Sequence, residues 1–316
     1  MFDFADEIWI LILKNLKLTN LAKISKVCSE LNYLSSDNQI WKKYMRETFN
    51  IECKYVDYLI KEQYVDYRKL ITVKSWLLKN SKRYTLQELE HKKELHMTDM
   101  KIAIIPDCLE YLSYLKYLNV SNNKITKIPT SMTKLKYLKR LYLCDNRLVE
   151  IPKDIKNLDN LEELYIDKNR LSEIPDEFYN LINLKIFHVD KNKLLKISSL
   201  INKLENLQCL NLQNNKLSTI PNLTEKLKKL SILYADDNNL VNAPVIDRSI
   251  MMMELTLTNN KIREIPDYYG DLKYLEKLKI KNNNIMEFPE SLKNLKFIEV
   301  FDCDPHLDVP FYEKIQ

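Results

Sequence analysis

The chain has 316 residues, and its 49 basic and 44 acidic side chains leave a net charge of +5 with Lys far outnumbering Arg; this near balance, without a dense basic block, reads as a solvated surface rather than a nucleic-acid track. A single glycine, Gly270, leaves no loop able to cradle phosphate, and His91, His96, His188 and His306 stand in no metal-ligand or triad spacing. No enzyme chemistry, cofactor or metal is therefore expected. The six cysteines, Cys28, Cys53, Cys108, Cys144, Cys209 and Cys303, are scattered without CxxC pairs, which points to a reducing compartment, cytoplasm or nucleus. The opening "MFDFADEIWILILKNL" puts acidic residues before a short apolar run broken by Lys14, a poor signal peptide and too short to span a bilayer.

Residues 1–46 show a helical apolar rhythm: Ile8, Leu11, Ile12 and Leu16, then Leu21, Ile24, Val27, Cys28, Leu31 and Leu34. Thr19 and Asp37 stand at N-cap positions, so three or four short helices are expected. Trp9, Ile10 and Leu13 fall off the inward stripe, and so small a module leaves apolar surface that needs a partner. The segment "FADEIWILILKNLKLTNLAKISKVCSELNYLSSDNQIWKKY" resembles an F-box through Glu7, Ile8, Ile12, Leu16, Leu21, Val27, Cys28, Leu34, Asp37, Ile40 and Trp41. Ala5, Asn20 and Leu31 depart from the usual Pro, Asp and Trp. The resemblance implies docking on a Skp-type adaptor and its cullin–RING ligase through Phe4, Glu7, Ile8, Trp9, Ile12, Leu16, Val27, Cys28 and Trp41. Read from the residues alone, the same helices also suit a cap over the open end of a repeat array.

Residues 47–91 contain neither Gly nor Pro, and Tyr64, Tyr67, Leu70, Ile71, Val73, Trp76 and Leu77 recur with helical spacing. Packed helices are expected, serving as a rigid connector, a cap for the solenoid, or both.

From Lys92 to the C-terminus a phrase of 23 residues repeats. In "LKYLNVSNNKITKIPTSMTKLKY" the apolar positions are Leu115, Leu118, Val120, Ile125, Ile128, Met132 and Leu135; further copies open at Leu138, Leu161, Leu184, Leu207, Leu230, Met252, Leu275 and, degenerately, Ile298. The pattern resembles the leucine-rich repeat family, with Ile-Pro returns like those of Ras-pathway scaffolds. It implies an α/β solenoid, a horseshoe whose parallel strands line the concave face and whose convex returns are short 3₁₀ or irregular segments. A fully buried Leu or Ile is worth roughly 1.5–3 kcal/mol, but one copy cannot bury its own, so stacking stabilises the array.

Asn123, Asn146, Asn169, Asn192, Asn215, Asn238, Asn260 and Asn283 form a column at the turn after the strand, where an amide serves the backbone of adjacent turns. Met100 replaces it in the first copy, which marks a capping repeat. Pro at positions 106, 129, 152, 175, 221 and 266 fixes φ and removes a donor, which suits a 3₁₀ return. The copy opening at Leu230 spans 22 residues and places Ala235 and Ala243 at core positions, so thinner packing and a kink are expected there.

Side chains between the core leucines of each strand point to the concave face. One column runs His96, Asn119, Tyr142, Tyr165, His188, Asn211, Tyr234, Thr256, Lys279, and the next Thr98, Ser121, Cys144, Asp167, Asp190, Gln213, Asp236, Thr258, Lys281. The centre is thus aromatic and acidic, and Lys277, Lys279 and Lys281 make the far end basic. Tyr142, Tyr165, Asp167, His188, Asp190, Tyr234 and Asp236 are the expected contacts for a protein substrate with a basic segment. Cys144 and His188 share this face, but nothing in the sequence activates the thiol. Three readings stay open: a substrate receptor of an F-box-type ubiquitin ligase, a non-catalytic interaction scaffold, and a viral or pathogen mimic of a host receptor.

Overall fold

The computed structural model of the chain describes residues 72–80, 82–84, 88–89 and 91–308. The chain divides into two units, residues 1–79 with 83–86, and residues 80–82 with 87–316. In the first, residues 72–79 are helical with Val73 and Leu77 buried, one turn apart as the apolar rhythm requires. The rest of the helical expectation for residues 1–91 lies outside the described residues.

The second unit is a solenoid built on ten parallel strands in sequence order. They are β1 (Glu94–His96), β2 (Tyr117–Asn119), β3 (Arg140–Tyr142), β4 (Glu163–Tyr165), β5 (Ile186–His188), β6 (Cys209–Asn211), β7 (Ile232–Tyr234), β8 (Glu254–Thr256), β9 (Lys277–Lys279) and β10 (Val300–Asp302). The strands are short because only one residue of each, such as Leu118, Leu141 or Leu164, points into the core; the phrase then turns the chain back over it. Parallel strands require a crossover, and it comes as five-residue 3₁₀ segments: Asp107–Tyr111, Thr130–Lys134, Lys153–Asn157, Asp176–Asn180, Ser199–Lys203, Asp267–Asp271 and Glu290–Asn294. Proline precedes all of these but one, holding φ between −78° and −63°. In the exception Ser198 takes φ −73° and its hydroxyl accepts from the Leu200 N–H. The 3₁₀ expectation is met, and Ser198 offers a cap where proline offers rigidity.

The asparagine column is the spine of the solenoid. Asn169 Oδ1 accepts from Leu148 N at 2.9 Å, while its Nδ2 lies 3.0 Å from the carbonyls of Leu143, Ile166 and Asp167. Asn146, Asn192, Asn215 and Asn238 repeat the pattern between their own neighbours. Deleting one amide strands several buried backbone groups at about 1–3 kcal/mol each, so a structural role follows from geometry alone. The residue before each asparagine is left-handed, from Asn122 (φ 56°) to Asn282 (φ 57°), and in two repeats it is a lysine, Lys168 and Lys191. Asparagine and aspartate tolerate that region; for lysine the cost is borne because the adjoining N–H must reach the next repeat.

Both ends of the ladder are terminated by substitutes. Where Met100 stands in the first copy, Asn123 of the next accepts from both Met100 N and Ile102 N. At the far end Asp304 offers its carboxylate to Asn282 N (3.0 Å) and Asn283 N (3.3 Å), the first replacing the next-repeat carbonyl that Asn259 N finds in Lys281. In the 22-residue copy the missing residue is absorbed in the return, and β7 pairs β8 in unbroken register. This copy has no 3₁₀ segment, and its return pairs Ile246 with Leu223 as an isolated parallel bridge. Ala235 and Ala243 are buried, and the fully buried Tyr269 of the following copy reaches Pro244 O at 2.8 Å.

Candidate protein-binding face

Because the central residue of each strand from β1 to β9, a leucine except for Phe187 in β5, is buried, the residues on either side of it share the opposite face. The register aligns His96, Asn119, Tyr142, Tyr165, His188, Asn211, Tyr234, Thr256 and Lys279 as one row. A row that the sequence reading did not use runs on the other side of the leucine: Glu94, Tyr117, Arg140, Glu163, Ile186, Cys209, Ile232, Glu254, Lys277 and Val300. Period-two alternation would have revealed it, since it precedes the leucine by one residue as the first row follows it.

The two rows interlock through their rings. His96 and Tyr117 centroids are 4.7 Å apart, Tyr117 and Tyr142 5.2 Å, Tyr142 and Tyr165 4.5 Å with planes within 10°, and Tyr165 and His188 4.7 Å. Tyr142 and Tyr165 cover one another's faces, while the other contacts are tilted by 37–56°. The stack leaves ring edges rather than faces open at that pair, and the Arg140 guanidinium sits 5.2 Å from the Tyr117 centroid near the start of the row. Tyr142 donates its hydroxyl to Glu163 (2.9 Å) and Tyr234 to Glu254 (2.8 Å), and Glu254 also pairs with Lys277 (3.1 Å). Burial first, and the carboxylate second, push both phenols well above their usual range.

His188 meets Cys209, Nε2 to Sγ 3.5 Å. Burial lowers the imidazole and raises the Cys209 thiol to about 11; burial and Asp167 together raise Cys144 to about 12. These shifts run opposite to those that make a thiolate–imidazolium pair, so neither cysteine is poised as a nucleophile.

The three aspartates of the expected site differ. Asp236 is consumed by the fold, accepting from Gln213 Nε2, Thr256 Oγ1 (2.6 Å) and Thr258 N (2.7 Å). Asp167 has the Cys144 thiol against it. Asp190 is 9% exposed, and burial, then the Asp167 charge, raise it to about 6. Its own main-chain N–H supports the carboxylate, but among the described residues no other residue donates to the carboxylate and no ion pair includes it. The arrangement brings Tyr142, Tyr165, Asp167, His188 and Asp190 together on neighbouring repeats, with Tyr234 and Asp236 two repeats beyond. Phe4, Glu7, Ile8, Trp9, Ile12, Leu16, Val27, Cys28 and Trp41 lie outside the described residues.

Among the described residues no helix is long and apolar enough to cross a membrane. Comparison with family descriptions matches "F-box-like" to residues 6–47, "Leucine-rich repeat region" to residues 70–190 and "Leucine Rich Repeat" to residues 206–227. No curated protein matches the chain. Among solved structures the chain is similar to an internalin (inlF) of Listeria monocytogenes, 25% identical, TM-score 0.55, covering 74% of each chain. It is also similar to the PEPR1–AtPEP1 structure, 29% identical, TM-score 0.54, covering 63% of this chain and 32% of that one. A leucine-rich-repeat protein of Leptospira interrogans aligns at 23% identity and TM-score 0.45 over 70% of this chain and 74% of that one.

Proposed function

We propose that this chain, an F-box-like domain followed by leucine-rich repeats, is the substrate-recognition subunit of an SCF-type, cullin–RING ubiquitin ligase. The observation that carries the reading is the order of the modules: a segment matched as F-box-like at residues 6–47, ahead of a solenoid whose exposed rows are polar and aromatic. Residues 1–46 would grip a Skp-type adaptor through Phe4, Glu7, Ile8, Trp9, Ile12, Leu16, Val27, Cys28 and Trp41, residues 47–91 would connect, and residues 92–316 would select a protein target. The chain itself does no chemistry in this scheme; ubiquitin transfer belongs to the recruited ligase, in a reducing cytoplasm or nucleus.

On the solenoid, Tyr142, Tyr165, Asp167, His188 and Asp190 form the centre of the target surface, and Tyr234 and Asp236 its far flank. Support comes from the unmatched acidic pair and from the self-packed ring row, which needs no reordering on binding and so spares side-chain entropy. Co-purification of the full chain with a Skp-type adaptor tests the assignment. The intact chain should capture the adaptor, and Ile8→Ala with Trp41→Ala should abolish capture while the solenoid stays folded. Failure of the intact chain to capture any adaptor would leave an interaction scaffold as the function.

A further inference from the structure

Every other carboxylate placed above on the strand face of the central repeats has a partner. Glu163 takes the Tyr142 hydroxyl, Glu254 takes Tyr234 and Lys277, and Asp236 takes Gln213, Thr256 and Thr258. Among the described residues the carboxylate of Asp190, a nine-tenths buried residue, has only its own N–H, while its neighbour in the preceding repeat, the partly exposed Asp167, has only the weak thiol donor of Cys144. Asp190 is drawn out of water beside the partly exposed Asp167, and the two like charges repel one another. Among the described residues no ion pair reaches Asp190: burial lowers the pKa of His188, and the exposed Lys168 and Lys191 act on Asp190 less than burial and Asp167 do.

The same face already accommodates one guanidinium, Arg140 over Tyr117, near the start of the ring row. We propose that Asp167 and Asp190 form a seat for a second, the guanidinium of one arginine in an extended segment of a bound protein. Neighbouring strands about 4.8 Å apart set two carboxylates at a spacing that suits the planar five-donor fork of arginine better than the point charge of lysine. The seat deepens the target-binding reading of this face and rests on it, yet it can be measured without the adaptor.

The experiment titrates the peptide Ac-Gly-Arg-Gly-NH2 into the full chain at low ionic strength, followed by the carboxylate NMR signals of Asp167 and Asp190. The lysine and citrulline counterparts and calcium chloride are titrated in parallel. The arginine peptide should saturate both signals, the lysine peptide should bind about tenfold more weakly, and citrulline should not saturate. The paired substitution Asp167→Asn and Asp190→Asn, read by backbone amide signals, should weaken arginine binding at least about tenfold, and Glu173→Gln should leave it unchanged. The seat is overturned if the arginine peptide does not saturate, if lysine or citrulline binds equally well, if the paired variant keeps full affinity, or if calcium displaces arginine from the pair. Adaptor capture by the paired variant, measured separately, should match that of the intact chain. Loss of the seat with capture retained refutes this inference alone; loss of capture by the unmodified chain refutes the ligase reading alone.

Discussion

Asp190 shows how a buried carboxylate can burden the folded protein. Its folded pKa of about 6 lies above the usual aspartate value, so the folded chain holds this proton more tightly than the unfolded chain does. That advantage is complete below about pH 3.9 and is lost as pH rises through about 6. At pH 7 the ionised carboxylate therefore opposes folding by up to about 3 kcal/mol. Asp190→Asn should be the more stable protein at pH 7 by up to that amount, and urea unfolding should show the gap closing by about pH 4. A variant equally or less stable at pH 7 would mean that the free chain relieves the charge in another way. Asp236, in the same column, should give the opposite result, because Asn cannot accept from all three of its donors.

At the scale of the element, the returns decide how closely repeats approach. Gly270 lies in the 3₁₀ segment Asp267–Asp271, and a Cβ placed on it would sit 2.1 Å from Ser291 O in the following return, Glu290–Asn294. Earlier returns carry Thr133, Lys156 and Tyr179 at the equivalent place, so glycine is a requirement of this one contact and not of the motif. The obstacle is main chain, which cannot rotate aside. Gly270→Ala should destabilise by about 1–3 kcal/mol or more through overpacking, measured as a fall in the urea midpoint. Cross-repeat ion pairs matter less. Glu162 bridges Lys139 and Lys185 at 2.6 Å each, but the lysines are half exposed and screened, and such bridges are worth about 1 kcal/mol or less.

For the whole solenoid, translation from repeat to repeat means that copies are exchangeable wherever their neighbours repeat the same contacts. Deleting residues 161–183 joins Asn160 to Leu184 in phase and restores the asparagine ladder, with Asn146 meeting Asn192. The shortened chain should keep its circular dichroism spectrum and melt cooperatively, several degrees lower than the parent. It should also lose arginine-peptide binding, since Asp190 would then stand beside Cys144. An unfolded product would show that the repeats are not interchangeable units.

Much of the molecule was legible in the sequence because its determinants are local and periodic. The spacing of Leu118, Val120 and Asn123 sets strand, core and turn within one phrase; Ile128-Pro129 sets the return; and repetition every 23 residues sets the parallel register. The same counting placed Tyr142, Tyr165 and His188 in one row. It did not show that the rings cover one another, that Asp236 is spent on Gln213, Thr256 and Thr258, or that Cys209 rather than Cys144 meets His188. Each of these is a contact between side chains in neighbouring repeats, decided by rotamer, distance and solvent access, which a period does not encode. The sequence determined that this chain builds a solenoid with a polar and aromatic strand face, and only the tertiary structure decided which charges on that face find partners among the described residues, because burial and competing donors exist only once the repeats are stacked.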